Sequence, residues 1–500
     1  MIQKPSLQDI HVIIFNLGKI IFALGVLMVI PLLTALGFRE WEPMCDFLIG
    51  IIISLIIGIL FIKVFRTKED LKWLHGMVVT ALAWIIAMVL GAIPLYLSGH
   101  FGCFLDACFD AMSGFATTGL TLINDMDHLS YAHNMWRHLI MFIGGQGIVV
   151  VALAFLMSGA SGAFRMYVGE ARDEKILPNV IQTARFIWFV SIVYLILGTL
   201  SLAIVGLLNG MPLVNSIFHG MWIFMAAFDT GGFAPQSQNI LYYHSLPFEV
   251  VTIFIMLLGS INFKLHHALW TGNRKEIYKN IETITLFITI MATFAVTAFG
   301  LYKFNAYPEV LTMFRKGFYQ LVSGHTGTGY MTLYARQFIH EWGTIAMVGV
   351  TIAMAFGGSA CSTTGGIKVL RIGLLAKALK QDIKQFLVPE STVVIQKFHH
   401  IRDIILNDKQ IRSVFLITLS YLLLYGLGTL AGIFCGYPLL DSLFESTSAA
   451  ANVGLSCGIT LPTMPALLKV TYIIQMWAGR LEFICIFVLI GFLISIFRGK

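Results

Sequence analysis

Long apolar stretches separated by short polar loops run through all 500 residues of the chain. Stretches such as Val78–Leu97 and Ile411–Phe434 have the ~20 residues that cross a lipid bilayer as a helix. The pattern predicts ten spans, of which the eighth is interrupted. They lie near residues 12–37, 46–65, 73–97, 135–158, 183–208, 248–270, 280–303, 341–380, 411–435 and 467–497.

Four shorter amphipathic stretches lie between these spans, at 104–116, 213–228, 310–326 and 438–451. At roughly 13–17 residues they are too short to cross, and this length is typical of re-entrant segments. If all four enter and leave on one side, most Lys and Arg residues fall on the other side, including those of the loop 368–412. Because basic loops stay in the cytoplasm, both termini are predicted to be cytoplasmic and the short segments external.

The composition excludes most other classes of protein. Hydrophobic residues make up 57% of the chain and charged residues 12%, about half the charge of a soluble domain. The net charge of +7 includes no run of like charges that would bind nucleic acid, and the seven cysteines contain no CxxC pair. GxxxxGK[ST] and GxGxxG sequences are absent as well. The sequence therefore predicts a membrane protein that is not an enzyme and carries no cofactor of its own.

The four short stretches share one pattern. Each ends in a turn rich in Thr or Gly, and one glycine of each turn can be aligned. An aromatic residue stands ten positions before that glycine and a small residue six positions before it. The aligned aromatic, small residue and glycine are Phe109, Ser113 and Gly119; Trp222, Ala226 and Gly232; Tyr319, Ser323 and Gly329; and Phe444, Ser448 and Gly454.

A helix that stops partway leaves irregular backbone at membrane depth, which is tolerated only where it is buried or lines a water-filled path. Turn carbonyls that point inward can replace the hydration shell of a cation, and glycine permits the torsions required. Ordinary helix-packing residues are the alternative, but four turns in register favour a selectivity filter. The predicted filter residues are Thr117, Thr118, Gly119, Thr230, Gly231, Gly232, Gly327, Thr328, Gly329, Asn452, Val453 and Gly454.

The interruption of the eighth span is rich in Gly, Ser and Thr. Broken helices in membranes usually line substrate or ion pathways, so a movable constriction is favoured over a flexible packing kink. The predicted gate consists of Gly357, Gly358, Ser359, Ala360, Cys361, Ser362, Thr363, Thr364, Gly365 and Gly366.

Arg480 lies about thirteen residues into the last predicted span. An ionisable group at that depth is costly and is by default functional. Glu482 is only two positions further and faces another side of a helix. An ion pair with an acid of a short stretch, such as Glu445, is the structural alternative.

The four turns, the segment Gly357–Lys368 and Arg480 together resemble the TrkH/TrkG/KtrB superfamily of potassium transporters over residues 70–500. Two additional N-terminal spans and the stretch Gln182–Arg185 resemble the TrkH branch rather than the KtrB branch. The resemblance implies K⁺ or Rb⁺ in the filter, Arg480 as a pore barrier beneath it, a homodimer, and a cytosolic nucleotide-binding regulator of the TrkA type. It also implies the inner membrane of a bacterial or archaeal cell.

The expected fold is all-α and polytopic, with four repeats of span, pore helix, filter and span around one pore. The predicted divisions are a two-helix extension at 1–69 and repeats at 70–165, 166–279, 280–385 and 386–500. Asp229 and His325 depart from the family pattern. Asp229 could attract cations or bind backbone near the pore mouth, and both roles stay open.

The expected function is channel-like potassium uptake. A symporter coupled to H⁺ or Na⁺ is the alternative. Such transporters often have inverted repeats and acids at the bilayer midplane, whereas these repeats are parallel and acids within the spans are scarce.

Overall fold

A computed structural model of the chain describes residues 4–148, 150, 166–168, 179–389, 391–392 and 394–498. Six helical segments in this part of the chain are long and apolar enough to cross a membrane. Two bent helix pairs pass the same test. The six segments are Leu7–Phe38, Trp41–Val64, Trp73–Leu97, Val180–Leu208, Ile281–Lys303 and Asp408–Phe434.

The first two of these segments form an N-terminal hairpin. Ser6 and Asp9 form a capping box at the start of the helix Leu7–Leu27, and a break at Met28 separates that helix from Val29–Phe38. The return helix is Trp41–Val64. Glycine lets the two backbones approach closely, because a Cβ atom on Gly58 would lie 2.8 Å from the backbone nitrogen of Phe22. Small residues at such contacts are common in membrane helices.

Four repeats follow, each with an outer helix, a short pore helix, a turn and an inner helix. The outer helices are Trp73–Leu97, Val180–Leu208, Ile281–Lys303 and Asp408–Phe434. The pore helices are Phe104–Phe115, Leu213–Phe228, Val310–Thr312 continued by a π-helical turn Met313–Phe318 and by Tyr319–His325, and Leu439–Ala450. The inner helices begin as Tyr131–Gln146, Leu246–Ser260, Gly343–Ala355 and Ala466–Arg480.

Two of the predicted spans, 248–270 and 467–497, contain a sharp bend, although an interruption was predicted only for the eighth span. The helix Leu246–Ser260 turns by 101° into Phe263–Trp270, where the Asn262 side chain caps the new helix. The helix Ala466–Arg480 turns by 111° into Ile484–Arg498, because Glu482 and Phe483 adopt positive φ angles of 50° and 71°. Neither break has a Pro or Gly at the bend, so the hydropathy pattern does not reveal it.

The predicted interruption of the eighth span is confirmed. After Gly343–Ala355 the chain leaves helical geometry and enters a helix again at Val369–Phe386. We call residues 357–366 the intramembrane loop. The end of the predicted span 135–158 lies outside the described residues.

A two-stranded antiparallel hairpin follows the third repeat. Lys397–His400 pairs with Arg402–Ile405, and Lys397 lies opposite Ile405. In the sequence this segment was predicted only as part of a basic loop. Short helical pieces at Asn239–Tyr243, Glu276–Lys279 and Gln337–His340 complete the described elements.

The distribution of polar residues is the reverse of that in a soluble protein. The outer helix of repeat 4 exposes Leu422, Leu423, Leu427 and Leu430 by 55–64%, which suits contact with lipid. The pore helices instead bury acids and hydroxyls at the centre of the molecule. The all-α, four-repeat membrane architecture with two N-terminal helices agrees with the predicted fold class. The predicted division points at residues 69, 165, 279 and 385 stay predictions.

Candidate functional site

The four aligned turns meet around one axis. We number them turn 1 (117–119), turn 2 (230–232), turn 3 (327–329) and turn 4 (452–454). A Cβ atom on the aligned glycine of each turn would overlap a carbonyl oxygen of the next turn, and the fourth contact returns to turn 1. The pairs are Gly119 with Gly231, Gly232 with Thr328, Gly329 with Val453, and Gly454 with Thr118. The contacts close a ring of twelve predicted filter residues.

The backbone has the same conformation in all four turns. The aligned glycines have φ angles between 72° and 96°. Two positions earlier, Thr117, Thr230, Gly327 and Asn452 also have positive φ, at 53°, 51°, 70° and 54°. The left-handed conformation costs roughly 1–2 kcal/mol for a residue with a Cβ atom, and it persists only where the surroundings enforce it.

The pore helices hold the turns by one repeated hydrogen bond. In each repeat the N–H of the residue before the aligned glycine donates to the carbonyl of the small residue identified in the sequence, at 2.8–2.9 Å. The acceptors are Ser113, Ala226, Ser323 and Ser448. The aromatic residue of each repeat is buried among the helices. The C-terminal end of every pore helix therefore faces the ring, where its partial negative charge favours a cation.

A cavity of about 150 Å³ opens against one side of the ring and is lined in part by Gly119, Gly232 and Gly454. Its wall is fixed by the fully buried Glu445, which accepts backbone hydrogen bonds from Cys457, Gly458 and Ile459 at 3.0–3.2 Å. Arg137 also lines this cavity and is paired with Asp110 at 3.1 Å, with both side chains fully buried. We call this side the mouth.

The intramembrane loop contacts the ring on the side of the inner-helix ends. Thr363 of the loop makes the contact with the ring. Its hydroxyl lies 3.0 Å from the carbonyl oxygens of Phe228 and Gly259. The same hydroxyl lies 3.2 Å from the hydroxyl of Thr230 in turn 2. Ser359 donates its N–H to Ser260 at 2.9 Å. The loop is therefore bound to the ends of the repeat 2 helices and to the ring itself.

Short backbone contacts hold the base of the loop. The N–H of Gly357 donates a hydrogen bond to the carbonyl oxygen of Ile367 at 2.9 Å, which joins the two ends of the loop. The N–H of Val369 donates to the carbonyl oxygen of Gly358 at 3.0 Å. Lys368 folds back and donates to the carbonyl of Thr364. Arg371 forms an ion pair with Glu482, at the bend of the last inner helix. These contacts connect the loop to the helix that follows it.

Arg480 lies between the ring and the loop. Its guanidinium donates to the carbonyl oxygen of Thr363 and to those of Gly144 and Gly145, the latter two at 2.6 and 2.9 Å. It also reaches the hydroxyl of Thr117 in turn 1 at 3.4 Å. Glu445 binds the wall of the mouth instead, so the alternative of an Arg480–Glu445 ion pair is wrong.

The first segments of the four inner helices end beneath the ring. Glycines allow three of them to touch the ends of their own pore helices, because a Cβ atom on Gly144, Gly259 or Gly479 would overlap the carbonyl oxygen of Phe115, Phe228 or Ala450. These glycines were not among the predicted site residues, although a glycine followed by a second shared position recurs after three of the four turns, as Gly144-Gly145, Gly259-Ser260 and Gly479-Arg480. In that alignment Arg480 occupies the position that Gly145 and Ser260 occupy in the first two repeats.

The sequence profile of the TrkH cation transport proteins matches residues 44–494. The chain belongs to the TrkH family. It is 33% identical to an uncharacterized cation transporter of Methanocaldococcus jannaschii, over 96% of this chain and 95% of the relative. It is 28% identical to the Trk system potassium uptake protein TrkG of Escherichia coli, over 95% and 96% of the two chains.

The structure agrees with this assignment. It superposes on the crystal structure of the potassium transporter TrkH from Vibrio parahaemolyticus with a TM-score of 0.80 and 25% identity. The match covers 96% of this chain and 98% of the other. As a member of the TrkH family, the chain is a multi-pass membrane protein of a transporter class.

The two residues that depart from the family pattern lie behind the ring. Asp229 accepts a hydrogen bond from the side chain of Gln146 at 2.7 Å, a side-chain contact that neither proposed role anticipated. His325 is bonded to the hydroxyl of Thr289 at 2.8 Å. Both are fully buried, so the structure gives them contacts with neighbouring helices.

Glu282 is a further residue that the sequence analysis missed. One of its carboxylate oxygens accepts the N–H of Ala360 in the intramembrane loop at 2.6 Å. The other lies 3.7 Å from His400 of the hairpin and 3.3 Å from the amide of Asn262. Its position at the start of an outer helix gives no sign of these distant partners. It connects the loop to the hairpin.

Proposed function

We propose that this protein takes up K⁺ through a channel-like pore, with the four turns as the selectivity filter. One observation carries the proposal, namely the ring closed by the four glycine–carbonyl contacts. Backbone carbonyls held at fixed spacing can replace the hydration shell of K⁺ or Rb⁺. The negative ends of four pore helices favour the same cation. The TrkG relative is a potassium uptake protein and the TrkH relative is a potassium transporter, which supports this substrate.

The intramembrane loop and Arg480 form the barrier in this proposal. An ion leaving the ring meets two groups together, the guanidinium of Arg480 and Thr363 of the loop, whose hydroxyl contacts turn 2 and whose carbonyl oxygen accepts from the guanidinium. A fixed positive charge at this point raises the energy of a passing cation. Transport therefore requires the loop to move and the guanidinium to leave the ion path.

The remaining expectations complete the proposal. Both termini face the cytoplasm of a bacterial or archaeal cell, the protein forms a homodimer in the inner membrane, and a TrkA-like nucleotide-binding subunit docks on the cytoplasmic face. The helix Val369–Phe386 follows the loop directly, so a bound regulator can act on the loop. It shifts the equilibrium only by its difference in affinity for the two states. Deleting Ser359–Thr363 should raise basal uptake and weaken regulator control.

The filter is tested by uptake of radioactive rubidium into proteoliposomes, with Na⁺ as competitor. The variant is Gly454→Ser, and its matched control is Gly436→Ser in the same repeat. Both glycines have φ above 90°, but a Cβ atom on Gly454 would overlap Thr118, whereas one on Gly436 has nothing within 4 Å. Both variants therefore carry the same backbone strain, and only Gly454→Ser should lose discrimination between Rb⁺ and Na⁺.

Equal discrimination by both variants would refute the filter. The same vesicles distinguish a channel from the symporter alternative when a proton or sodium gradient is imposed across them. Uptake through a channel should depend only on the electrochemical gradient of the permeant ion and should not respond to the imposed gradient. Uptake against that gradient would instead establish coupling.

A further inference from the structure

A basic cavity lies at the end of the molecule that is predicted to face the cytoplasm. It has a volume of about 540 Å³ and is bounded by the start of the outer helix Ile281–Lys303, the helix Val369–Phe386 and the hairpin. Four lysines line it, namely Lys279, Lys377, Lys380 and Lys397. Among the described residues none of the four forms an ion pair within 4 Å.

The acids at this cavity, Asp403 in its lining and Glu276 beside it, already have a partner in His399. His399 lines the cavity and contacts Asp403 at 2.8 Å and Glu276 at 3.2 Å. The hydrogen bond with Asp403 is the main cause that raises the pKa of His399 above its usual value, and Glu276 adds to it. The lysine charges are therefore left for a ligand.

The floor of the cavity is apolar and continues onto the lipid-facing surface. Ile281 and Phe398 are buried beneath it, while Ile284 is 43% exposed. Further along the same helix Phe287 and Ile288 are 66% and 58% exposed. A ligand here meets positive charge at one end and a membrane-facing apolar stripe at the other. A basic pocket between helices on the cytoplasmic side suits an anionic lipid headgroup.

We propose that this cavity binds the phosphate group of an anionic phospholipid of the inner leaflet, with the acyl chains against Ile284 and Phe287. The shared chemistry is a phosphate held by lysines, and the continuity with the lipid-facing stripe favours a phospholipid over a soluble phosphate. A ligand in the cavity also contacts the hairpin strand Lys397–His400, whose last residue, His400, lies 3.7 Å from Glu282. Binding therefore stabilises one position of the hairpin.

The test measures lipid retained by the full-length protein. Protein in nanodiscs of phosphatidylcholine and phosphatidylglycerol, 3:1, is extracted into detergent, and phosphatidylglycerol per chain is counted by mass spectrometry. The variant is Lys279→Gln with Lys377→Gln. The matched control is Lys384→Gln with Lys409→Gln, two exposed lysines that do not line the cavity. A lysine near a membrane surface contributes about five-fold in affinity, so the cavity variant should bind phosphatidylglycerol about 25-fold more weakly.

Wild type and control should each retain phosphatidylglycerol that the cavity variant loses. Equal retention by all three would overturn the proposal. A second arm adds inorganic phosphate at 10 mM during extraction, and the lipid should stay bound. Loss of the lipid to phosphate, or protection of the cavity lysines from acetylation by phosphate alone, would assign the site to a soluble anion instead. The same lysines can also be acetylated in delipidated protein. If they are then protected only at protein concentrations where two chains associate, the surface belongs to a contact with a second copy.

Discussion

The hydroxyl of Thr363 is the contact between the intramembrane loop and the ring that can be removed with the least change in shape. Valine has the same branching as threonine but cannot form hydrogen bonds. Thr363→Val therefore removes the contacts to Phe228 O and Gly259 O, both at 3.0 Å, and to Thr230 Oγ1 at 3.2 Å. The closed position of the loop loses these contacts, and an open position without them loses nothing.

The magnitude follows from the number of bonds. One hydroxyl donates one hydrogen bond at a time, and such a bond contributes a net ~0.5–1.5 kcal/mol. Since 1.4 kcal/mol is a factor of ten, the open fraction should rise roughly two- to twelve-fold. Rubidium uptake should rise by the same factor, provided that the loop is closed most of the time in both proteins.

The assay is initial rubidium uptake at equal amounts of folded protein, verified by size-exclusion chromatography. Ser362→Ala is the matched control, because its hydroxyl donates to Ser359 O at 2.6 Å and so acts within the loop. Thr363→Ser keeps the hydroxyl and should return uptake toward the wild-type value. If Thr363→Val and Ser362→Ala both leave uptake unchanged, the closed loop is not held by this contact and the argument fails.

Three other changes test separate contacts. Arg480→Gln should raise uptake at least about five-fold, because a unit charge about 4 Å from a passing cation costs ~1 kcal/mol even at the dielectric constant of water; collapse of uptake in folded protein would contradict this. Glu282→Gln weakens the bond to Ala360 and should speed hydrogen exchange in the loop several-fold, with Glu309→Gln as the surface control. His399 has a raised pKa, chiefly through its hydrogen bond with Asp403, so its stabilisation is complete below about pH 6.5 and is lost as pH rises through the raised value. Exchange protection of residues 397–405 should fall over that range in wild type and stay constant in His399→Gln.

The pore helices could be predicted closely because two sequence signals agree there. The amphipathic stretch 213–228 matches the helix Leu213–Phe228, and 438–451 differs from Leu439–Ala450 by one residue at each end. In each case a turn rich in Thr, Asn or Gly stops the helix. In repeat 3 the sequence predicted where the pore helix begins and ends but not the π-helical turn Met313–Phe318 within it. A single π-helical turn is too short to show a periodicity of its own in the sequence.

The contacts beneath the ring could not be predicted, because their partners are far apart in the sequence. Arg480 was identified by its charge at membrane depth, but its acceptors are backbone carbonyls of Thr363, Gly144 and Gly145. Backbone acceptors carry no residue signature. The bend after Arg480 is likewise set by left-handed residues in an apolar stretch. The hairpin was missed because four-residue strands show little alternation.

The guanidinium of Arg480 is itself a cation coordinated by carbonyl oxygens, and in the proposed function it lies in the ion path. Three backbone oxygens surround it, and two belong to the last turn of an inner helix, whose partial negative charge stabilises it. Potassium seeks the same kind of ligand. If the proposed function holds, Arg480 acts as a tethered cation that competes with the permeant ion for one set of oxygens. A cation arriving from the ring can take over these oxygens as the arginine leaves, so the permeant ion helps to open its own path. Uptake at low K⁺ should then rise more steeply than the concentration.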